Sequence, residues 1–171
     1  MTLLVAALYS LYKRDPMLIG IHPAILQTHA TSSYPVVHVV DGDTLDIERN
    51  GIKERLRLIG INSPESVDPR RPVECFGKEA SMHAKSVLEG QSITIETDPS
   101  QGLLDKYGRT LAYVFLPDGS NFNELMIRDG YAYEYTYDKP YKYQSIFKNA
   151  ERYAKLGEQG LWASTTCHGL K

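Results

Sequence analysis

The chain has 171 residues, of which 42% are hydrophobic and 23% are charged. This length and composition fit one globular domain and exclude an intrinsically disordered chain. Its 19 basic and 21 acidic residues give a net charge of −2, which excludes a protein that coats nucleic acid by bulk positive charge. Its two cysteines show none of the Cys/His spacings typical of a structural zinc site.

The N-terminal part of the chain differs in composition from the rest. Up to residue 34 the only charged residues are Lys13, Arg14 and Asp15, which separate two apolar runs. Each run is shorter than the roughly 18 residues that a membrane-spanning helix needs. We therefore predict that residues 1–34 form a signal sequence or membrane tether with a linker, that the protein is exported, and that residues 35–171 form the domain. An extension with no targeting role is the alternative.

Three strands are predicted at the start of the domain. A β-branched run over 36–40 is followed by a turn at 41–43, and an alternating strand spans 44–49. Asn50-Gly51 favours a two-residue hairpin turn of type I′. The return strand is predicted over 52–61, so the first three strands form a meander.

Helices and further strands alternate in the remainder of the chain. The predicted elements are a helix over 76–88, strands over 92–96 and 111–116, a short helix capped by Asn121 or Asn123, and an amphipathic helix over 146–154. Five strands with a helix between the third and the fourth is the order of an OB-type barrel. The predicted fold class is therefore α+β, mainly β, with a five-stranded barrel and three helices.

Two motifs contain the residues suited to chemistry. The first has carboxylates on a turn, an arginine on the return strand and a polar cluster after it: Asp41, Asp43, Arg57, Asn62, Ser63 and Glu65. The second motif is Asp105-Lys106-Tyr107-Gly108-Arg109, before the fifth strand. Carboxylate and amide oxygens bind hard cations. Two guanidinium groups bind a phosphate and stabilise the charge that develops during phosphoryl transfer.

Together the two motifs resemble those of the staphylococcal nuclease (thermonuclease) family. The resemblance extends over about residues 36–162, and the second motif matches from Asp105 through Phe115. The family fold, a five-stranded OB barrel with three helices, agrees with the predicted elements. The resemblance implies a Ca²⁺-dependent nuclease that hydrolyses phosphodiester bonds of DNA and RNA and leaves 3′-phosphate ends.

The resemblance also implies a role for each residue. Arg57 and Arg109 are expected to bind the phosphate, and Glu65 to activate the attacking water. The expected metal site consists of oxygen donors: Asp43, Asn62 and the backbone carbonyl of Ser63, with Asp41 as an acid nearby. Nucleotide contacts are expected from Lys106, Tyr107, Tyr135 and Tyr137, although the last two could instead pack the rim of the barrel.

One departure from the family pattern affects the metal site. Asn62 stands where the family usually has an aspartate, which removes one negative charge and lowers the expected Ca²⁺ affinity. Another hard divalent ion could then serve. The alternative function is a catalytically inactive OB module that binds nucleic acid or protein, but Arg57, Glu65 and Arg109 are all retained.

The two cysteines bracket most of the domain. Cys75 and Cys167 are either two buried thiols or a disulfide that holds the C-terminal segment near the first helix. A disulfide would suit an exported protein. The expected partners are DNA and RNA substrates, with a membrane only through an N-terminal tether. We otherwise expect a monomer without a stable protein partner.

Overall fold

A computed structural model describes residues 32–70 and 72–170 of the chain. In chain order its elements are β1 (Ser33–Val39), β2 (Thr44–Arg49), β3 (Ile52–Leu58), β4 (Ile61–Asn62), α1 (Gly77–Leu88), β5 (Ser92–Glu96), β6 (Thr110–Phe115), α2 (Phe122–Arg128), β7 (Tyr133–Glu134), α3 (Gln144–Leu156) and a 3₁₀ helix (Gly160–Trp162). Residues 1–31 of the predicted signal or tether lie outside the described residues. None of the helices in the described part is long and apolar enough to cross a membrane.

Five of the strands close into a barrel, which confirms the predicted fold class. The strand order is β1-β2-β3-β6-β5, and β1 closes the barrel by pairing antiparallel with β5. Only the β3–β6 pair is parallel among the barrel pairs of the described chain. Asn50 and Gly51 have φ angles of 54° and 76°, which are the left-handed values that a type I′ hairpin requires.

The boundaries of three strands differ from the sequence prediction. β1 begins at Ser33 rather than at residue 36, because Ser33 to Pro35 pair with residues 92–94 of β5. β6 is shifted by one residue. The return strand ends at Leu58 instead of Ile61, because Gly60 has a φ of 79° and turns the chain against the ring of Tyr141.

That turn at Gly60 creates a second, two-stranded sheet that the sequence did not predict. After the turn, β4 pairs antiparallel with β7, so that Asn62 lies opposite Tyr133. The backbone N–H of Tyr135 continues the connection by donating to the carbonyl of Gly60 at 3.0 Å. This small sheet places the end of the first motif next to the segment that carries Tyr135 and Tyr137.

The three helices of the described chain pack around one core. Its fully buried side chains include Leu45, Ile47, Leu56, Tyr113, Phe122 and Phe147. Of the two predicted caps of α2, Asn121 is the cap, since its side chain accepts a hydrogen bond from the backbone N–H of Glu124. Asn123 is fully buried instead and joins Val114 to Ile59 through hydrogen bonds.

A second, smaller cluster joins the C-terminal segment to the barrel. Its buried members are Tyr133, Leu161 and Cys167, and we call it the C-terminal cluster. Cys167 forms a disulfide with Cys75, with 5.8 Å between the two Cα atoms. Of the two alternatives left open by the sequence, the disulfide is therefore the correct one.

Candidate active site

Most of the predicted site residues line one cleft of about 370 Å³ at the edge of the barrel. Its walls are the end of β3, the turn into β4, the loop before β6 and the segment after β7. The predicted residues in this lining are Arg57, Asn62, Lys106, Tyr107, Arg109, Tyr135 and Tyr137. Asp41, Asp43, Ser63 and Glu65 do not line the cleft, but Asp43 contacts its lining through Arg57.

The guanidinium group of Arg57 is held in the cleft by contacts with four residues. Its Nη1 donates to the carbonyls of Leu58 and Ile61, at 2.9 and 3.0 Å. Its Nη2 lies 3.3 Å from Oδ2 of Asp43 and 3.5 Å from Oδ1 of Asn62. Only 14% of the side chain is exposed, so the guanidinium is fixed in orientation and shielded from bulk water.

Asp43 connects the two arginines of the site. Its Oδ2 faces Arg57 and also accepts from the backbone N–H of Ser63 at 2.8 Å, while its Oδ1 accepts from the hydroxyl of Thr44 at 3.0 Å. The same hydroxyl oxygen accepts from Nη1 of Arg109 at 3.4 Å. Thr44 thus bridges Arg109 to Asp43. The sequence motifs assign no role to Thr44, because the residue pattern marks it only as the first residue of a strand.

Asp41 lies beside Asp43 on the same turn. Its Oδ1 accepts from the backbone N–H of Asp43 at 2.9 Å. Burial, and then the negative charge of Asp43, raise the pKa of Asp41 to about 7, although the hydrogen bond from Asp43 and the charge of Arg57 act in the opposite direction. Near neutral pH the turn therefore carries less negative charge than two ordinary aspartates would.

Arg109 is oriented by the first residue of its own motif. Its Nε donates to Oδ2 of Asp105 at 2.6 Å, and its backbone N–H donates to Oδ1 at 2.9 Å. Burial opposes ionisation of Asp105, but hydrogen bonds from Arg109 and from the backbone N–H of Tyr107 outweigh it and lower the pKa of Asp105. The Asp105 carboxylate is therefore charged at neutral pH and holds the guanidinium at the cleft.

Exposed aromatic rings belong to the lining of the cleft. The cations of Lys106 and Arg109 lie 5.1 and 5.4 Å from the ring centroid of Tyr107, which is 73% exposed. On the segment after β7, the ring centroids of Tyr135 and Tyr137 are 6.3 Å apart, and Tyr137 is 74% exposed. Rings this exposed contribute little to packing and offer faces on which bases can stack.

Glu65, three residues after Asn62 along the chain, is held by a loop of backbone N–H groups. Its Oε1 accepts hydrogen bonds from three successive residues, Ser66, Val67 and Asp68, at 2.8 to 3.0 Å. Burial opposes its ionisation, but these hydrogen bonds outweigh burial and hold the pKa of Glu65 below its usual value. Glu65 is therefore a fixed, ionised carboxylate at neutral pH.

Glu74 holds the backbone of Glu65, a contact that the sequence motifs do not indicate. The backbone N–H of Glu65 donates to Oε2 of Glu74 at 3.0 Å, and the backbone N–H of Glu74 donates to the carbonyl of Glu65 at 2.8 Å. The two residues meet only because the intervening loop folds back on itself. The pattern of residue types contains no signal for this contact.

The oxygen donors of the site fit a hard cation in kind. Asp43 and Asn62 each have an oxygen within 3.5 Å of the same nitrogen of Arg57, so a carboxylate and an amide oxygen face one guanidinium group. Such oxygens are the ligands that Ca²⁺ and Mg²⁺ prefer. The described residues contain no group of three or more Asp, Glu, His or Cys side chains that could hold a metal. Asp43 supplies the only carboxylate of this pair of donors, so the donor set is weakly charged.

Comparison with known proteins agrees with these motifs. The family model for staphylococcal nuclease homologues matches residues 55–164. The thermonuclease of Staphylococcus hyicus is 39% identical over 132 residues, which cover 77% of this chain and 76% of that protein. The thermonuclease of Staphylococcus intermedius is 41% identical over 130 residues, 76% of each chain. Endonuclease YncB of Bacillus subtilis is 32% identical over 127 residues, 74% of this chain and 59% of that protein.

Proposed function

The chain belongs to the family of staphylococcal nuclease homologues, and from this premise we propose that it is a metal-dependent nuclease that hydrolyses phosphodiester bonds of DNA and RNA. The observation that carries the proposal is the convergence of Arg57 and Arg109 on Asp43 at one cleft. Two fixed guanidinium groups next to oxygen donors suit a phosphate that gains charge in the transition state.

The arginines have distinct tasks in this proposal. Arg57 is shielded and held at four points, so it meets the phosphate in a fixed orientation and loses little freedom on binding. Arg109 is more exposed, at 26%, and is held by Asp105. It can follow the phosphate as the transition state forms. Both stabilise the developing charge through hydrogen bonds to the equatorial oxygens.

The bonds that form and break follow from hydrolysis at phosphorus. The water oxygen forms a bond to phosphorus, the bond from phosphorus to the 5′ oxygen breaks, and the leaving oxygen takes a proton. The products are a 3′-phosphate and a 5′-hydroxyl. A hard divalent cation, Ca²⁺ or another ion that tolerates the amide, would be held by Asp43, Asn62 and the carbonyl of Ser63 and would neutralise phosphate charge.

Glu65 would orient the attacking water. Its Oε1 is occupied by three backbone N–H groups, which leaves the second carboxylate oxygen to accept a hydrogen bond from water. The lowered pKa of Glu65 makes its carboxylate a weak base. We therefore assign most of its effect to alignment of the water and less to removal of its proton.

The nucleotide itself would be bound by the exposed rings and the lysine. Tyr107, Tyr135 and Tyr137 offer stacking faces that tolerate any base, and Lys106 offers a cation for a terminal phosphate. Contacts of this type discriminate poorly between bases, which suits a nuclease of low sequence specificity. We also propose export, because the disulfide between Cys75 and Cys167 suits an oxidising compartment.

The test is to incubate the purified protein with end-labelled DNA and RNA oligonucleotides in the presence of Ca²⁺. We expect cleavage of both, with products whose 3′ ends carry phosphate by mass spectrometry. Binding of the oligonucleotides without cleavage, in Ca²⁺, Mg²⁺ and Mn²⁺ alike, would instead support the inactive OB module.

A further inference from the structure

We propose that the disulfide between Cys75 and Cys167 is a positioning element for Glu65 and acts through Glu74 and the chain around it. This inference rests on the proposed nuclease function, in which Glu65 orients the attacking water. Under it, the C-terminal segment is part of the catalytic framework and not only a contribution to overall stability.

The first step is that the segment 74–77 forms the support on which Glu65 lies. Glu74 binds both the backbone N–H and the carbonyl of Glu65, at 3.0 and 2.8 Å. Gly77 lies so close that a Cβ atom there would be 2.5 Å from the carbonyl oxygen of Glu65. A small shift of this segment therefore moves the backbone of Glu65.

The second step is that the described residues of the loop between Glu65 and Glu74 hold the Glu65 carboxylate through backbone N–H groups but bury few apolar side chains of their own. Val67 and Val73 are each 50% exposed, and the side chain of Arg70 is 86% exposed. Such a loop does not by itself fix the backbone of Glu65 relative to the barrel. The position of Glu65 therefore depends on the segment 74–77 and on what holds that segment.

The third step is that the segment contains a strained residue next to Cys75. Phe76 has a φ of 66°, in the left-handed region that residues with large side chains avoid. Such a conformation persists only where the surroundings impose it. Here the disulfide fixes the residue before Phe76, and the Phe76 ring stacks on Tyr131 with 5.5 Å between centroids. Loss of the disulfide removes one of these constraints and lets the strained backbone relax.

The fourth step is that the other end of the disulfide is firmly anchored. Cys167 is 6% exposed within the C-terminal cluster. Leu161 of that cluster donates its backbone N–H to the carbonyl of Gly130 at 2.9 Å and accepts at its own carbonyl from Gly169 at 2.9 Å. The Tyr133 hydroxyl donates to the carbonyl of Leu170 at 3.2 Å. The segment around Cys167 is thus held from both sides.

These contacts close a ring around the site. Tyr133 of the C-terminal cluster lies opposite Asn62 in the β4–β7 pair, and the disulfide connects the same cluster to Glu74 and so to Glu65. Residues 62–65 are therefore held at both ends by one support. This arrangement fixes the carboxylate of Glu65 relative to Asn62, which a free loop would not do.

The experiment compares steady-state kinetics of the full chain with those of the Cys75→Ser/Cys167→Ser double variant on one DNA oligonucleotide in Ca²⁺. We expect kcat to fall by about tenfold or more, because misplacement of a catalytic group by an ångström has effects of this size. We expect KM to stay within about twofold, because the arginines and tyrosines of the cleft are not attached to the disulfide.

Two further comparisons separate positioning from lost stability. Ile93→Ala removes a fully buried side chain from β5, where Ile93 pairs with Tyr34 of β1. This variant is the destabilised control. At temperatures well below its unfolding midpoint, it should keep the wild-type kcat. Glu74→Ala leaves the disulfide intact and should reproduce the loss of kcat. Glu74→Gln keeps an acceptor oxygen for the Glu65 N–H and should retain more of kcat than Glu74→Ala. If the double variant fails to fold, the kcat values of Glu74→Ala and Glu74→Gln test the positioning role in its place.

The outcomes distinguish this inference from the proposed function. If the wild type cleaves DNA and Glu65→Gln does not, but the folded double variant and Glu74→Ala keep the wild-type kcat, the positioning role is wrong and the nuclease stands. The positioning role is also wrong if the double variant, like Ile93→Ala, loses stability but keeps the wild-type kcat. If the wild type cleaves no nucleic acid with any divalent metal, the proposed function itself fails.

Discussion

Replacement of Arg57 by alanine tests the catalytic cleft most sharply, because the contacts of this side chain are all defined. The change removes two hydrogen bonds to the carbonyls of Leu58 and Ile61, and it removes the cation 3.3 Å from Oδ2 of Asp43. Asp43 keeps its hydrogen bonds from Ser63 and Thr44. The variant therefore loses a charge that faces the substrate and leaves behind a carboxylate that is only partly compensated.

The size of both effects follows from burial. Loss of one partner of a buried ion pair costs about 3–5 kcal/mol of unfolding free energy, and the hydrogen bonds that remain on Asp43 place this variant near the lower end. A domain with a typical stability of about 5–15 kcal/mol stays folded after such a loss. Loss of one preorganised donor to a developing oxyanion costs about 10²–10³ in kcat. Activity should thus fall far more than the folded fraction.

Arg55→Ala is the matched control for this variant. Arg55 lies on the same strand and makes a two-point ion pair with buried Asp46, at 2.6 and 3.0 Å, but it does not line the cleft that contains Arg57. Kinetics on a DNA oligonucleotide and urea unfolding of both variants are the assay. Arg57→Lys should recover little activity, because one ammonium cannot replace a guanidinium held at four points. If Arg57→Ala loses no more kcat than Arg55→Ala, the role assigned to Arg57 is wrong.

Four further predictions concern the rest of the site and the disulfide. Arg109→Ala should lower kcat by about 10² or more while circular dichroism stays unchanged, and an unchanged kcat would remove Arg109 from the catalytic group. Asn62→Asp should tighten Ca²⁺ binding in titration calorimetry, because it adds a carboxylate to a weakly charged donor set, and equal affinities would mean that Asn62 does not bind the metal. Unreduced protein made in an oxidising compartment should show no alkylation of Cys75 or Cys167 under denaturing conditions, and full labelling would contradict the disulfide. Removal of the disulfide should lower the free energy of unfolding by up to about 4–5 kcal/mol, because the disulfide joins residues separated by 92 positions in the sequence.

Elements specified by neighbouring residues were predictable from the sequence. The hairpin turn at Asn50-Gly51 needs two left-handed residues in a row, and this pair of residue types adopts that conformation most readily. For the N-cap of α2, the sequence predicts either Asn121 or Asn123. The choice between them depended on tertiary structure, since Asn123 is committed to hydrogen bonds across the barrel and Asn121 is not.

Contacts between distant segments could not be predicted. Apolar residues continue along the return strand as far as Ile61 and predict that the strand ends there. The left-handed Gly60 instead turns the chain against the ring of Tyr141, and the strand ends at Leu58. The two-residue strands of the β4–β7 sheet are too short for any periodicity to show. For the site, the motifs indicated which side chains belong together. The support of Glu65 by Glu74 depends on how a loop closes, which residue types alone do not encode.

The central claim is that this cleft cleaves phosphodiester bonds with the help of a hard divalent cation. Its most direct test is the initial rate of cleavage of a labelled DNA oligonucleotide as a function of Ca²⁺ concentration, with a chelator at the zero point. We expect cleavage to be absent in chelator, to rise to saturation with Ca²⁺ and to be restored when excess Ca²⁺ is added back. A rate that is the same with chelator and with saturating Ca²⁺ would contradict it.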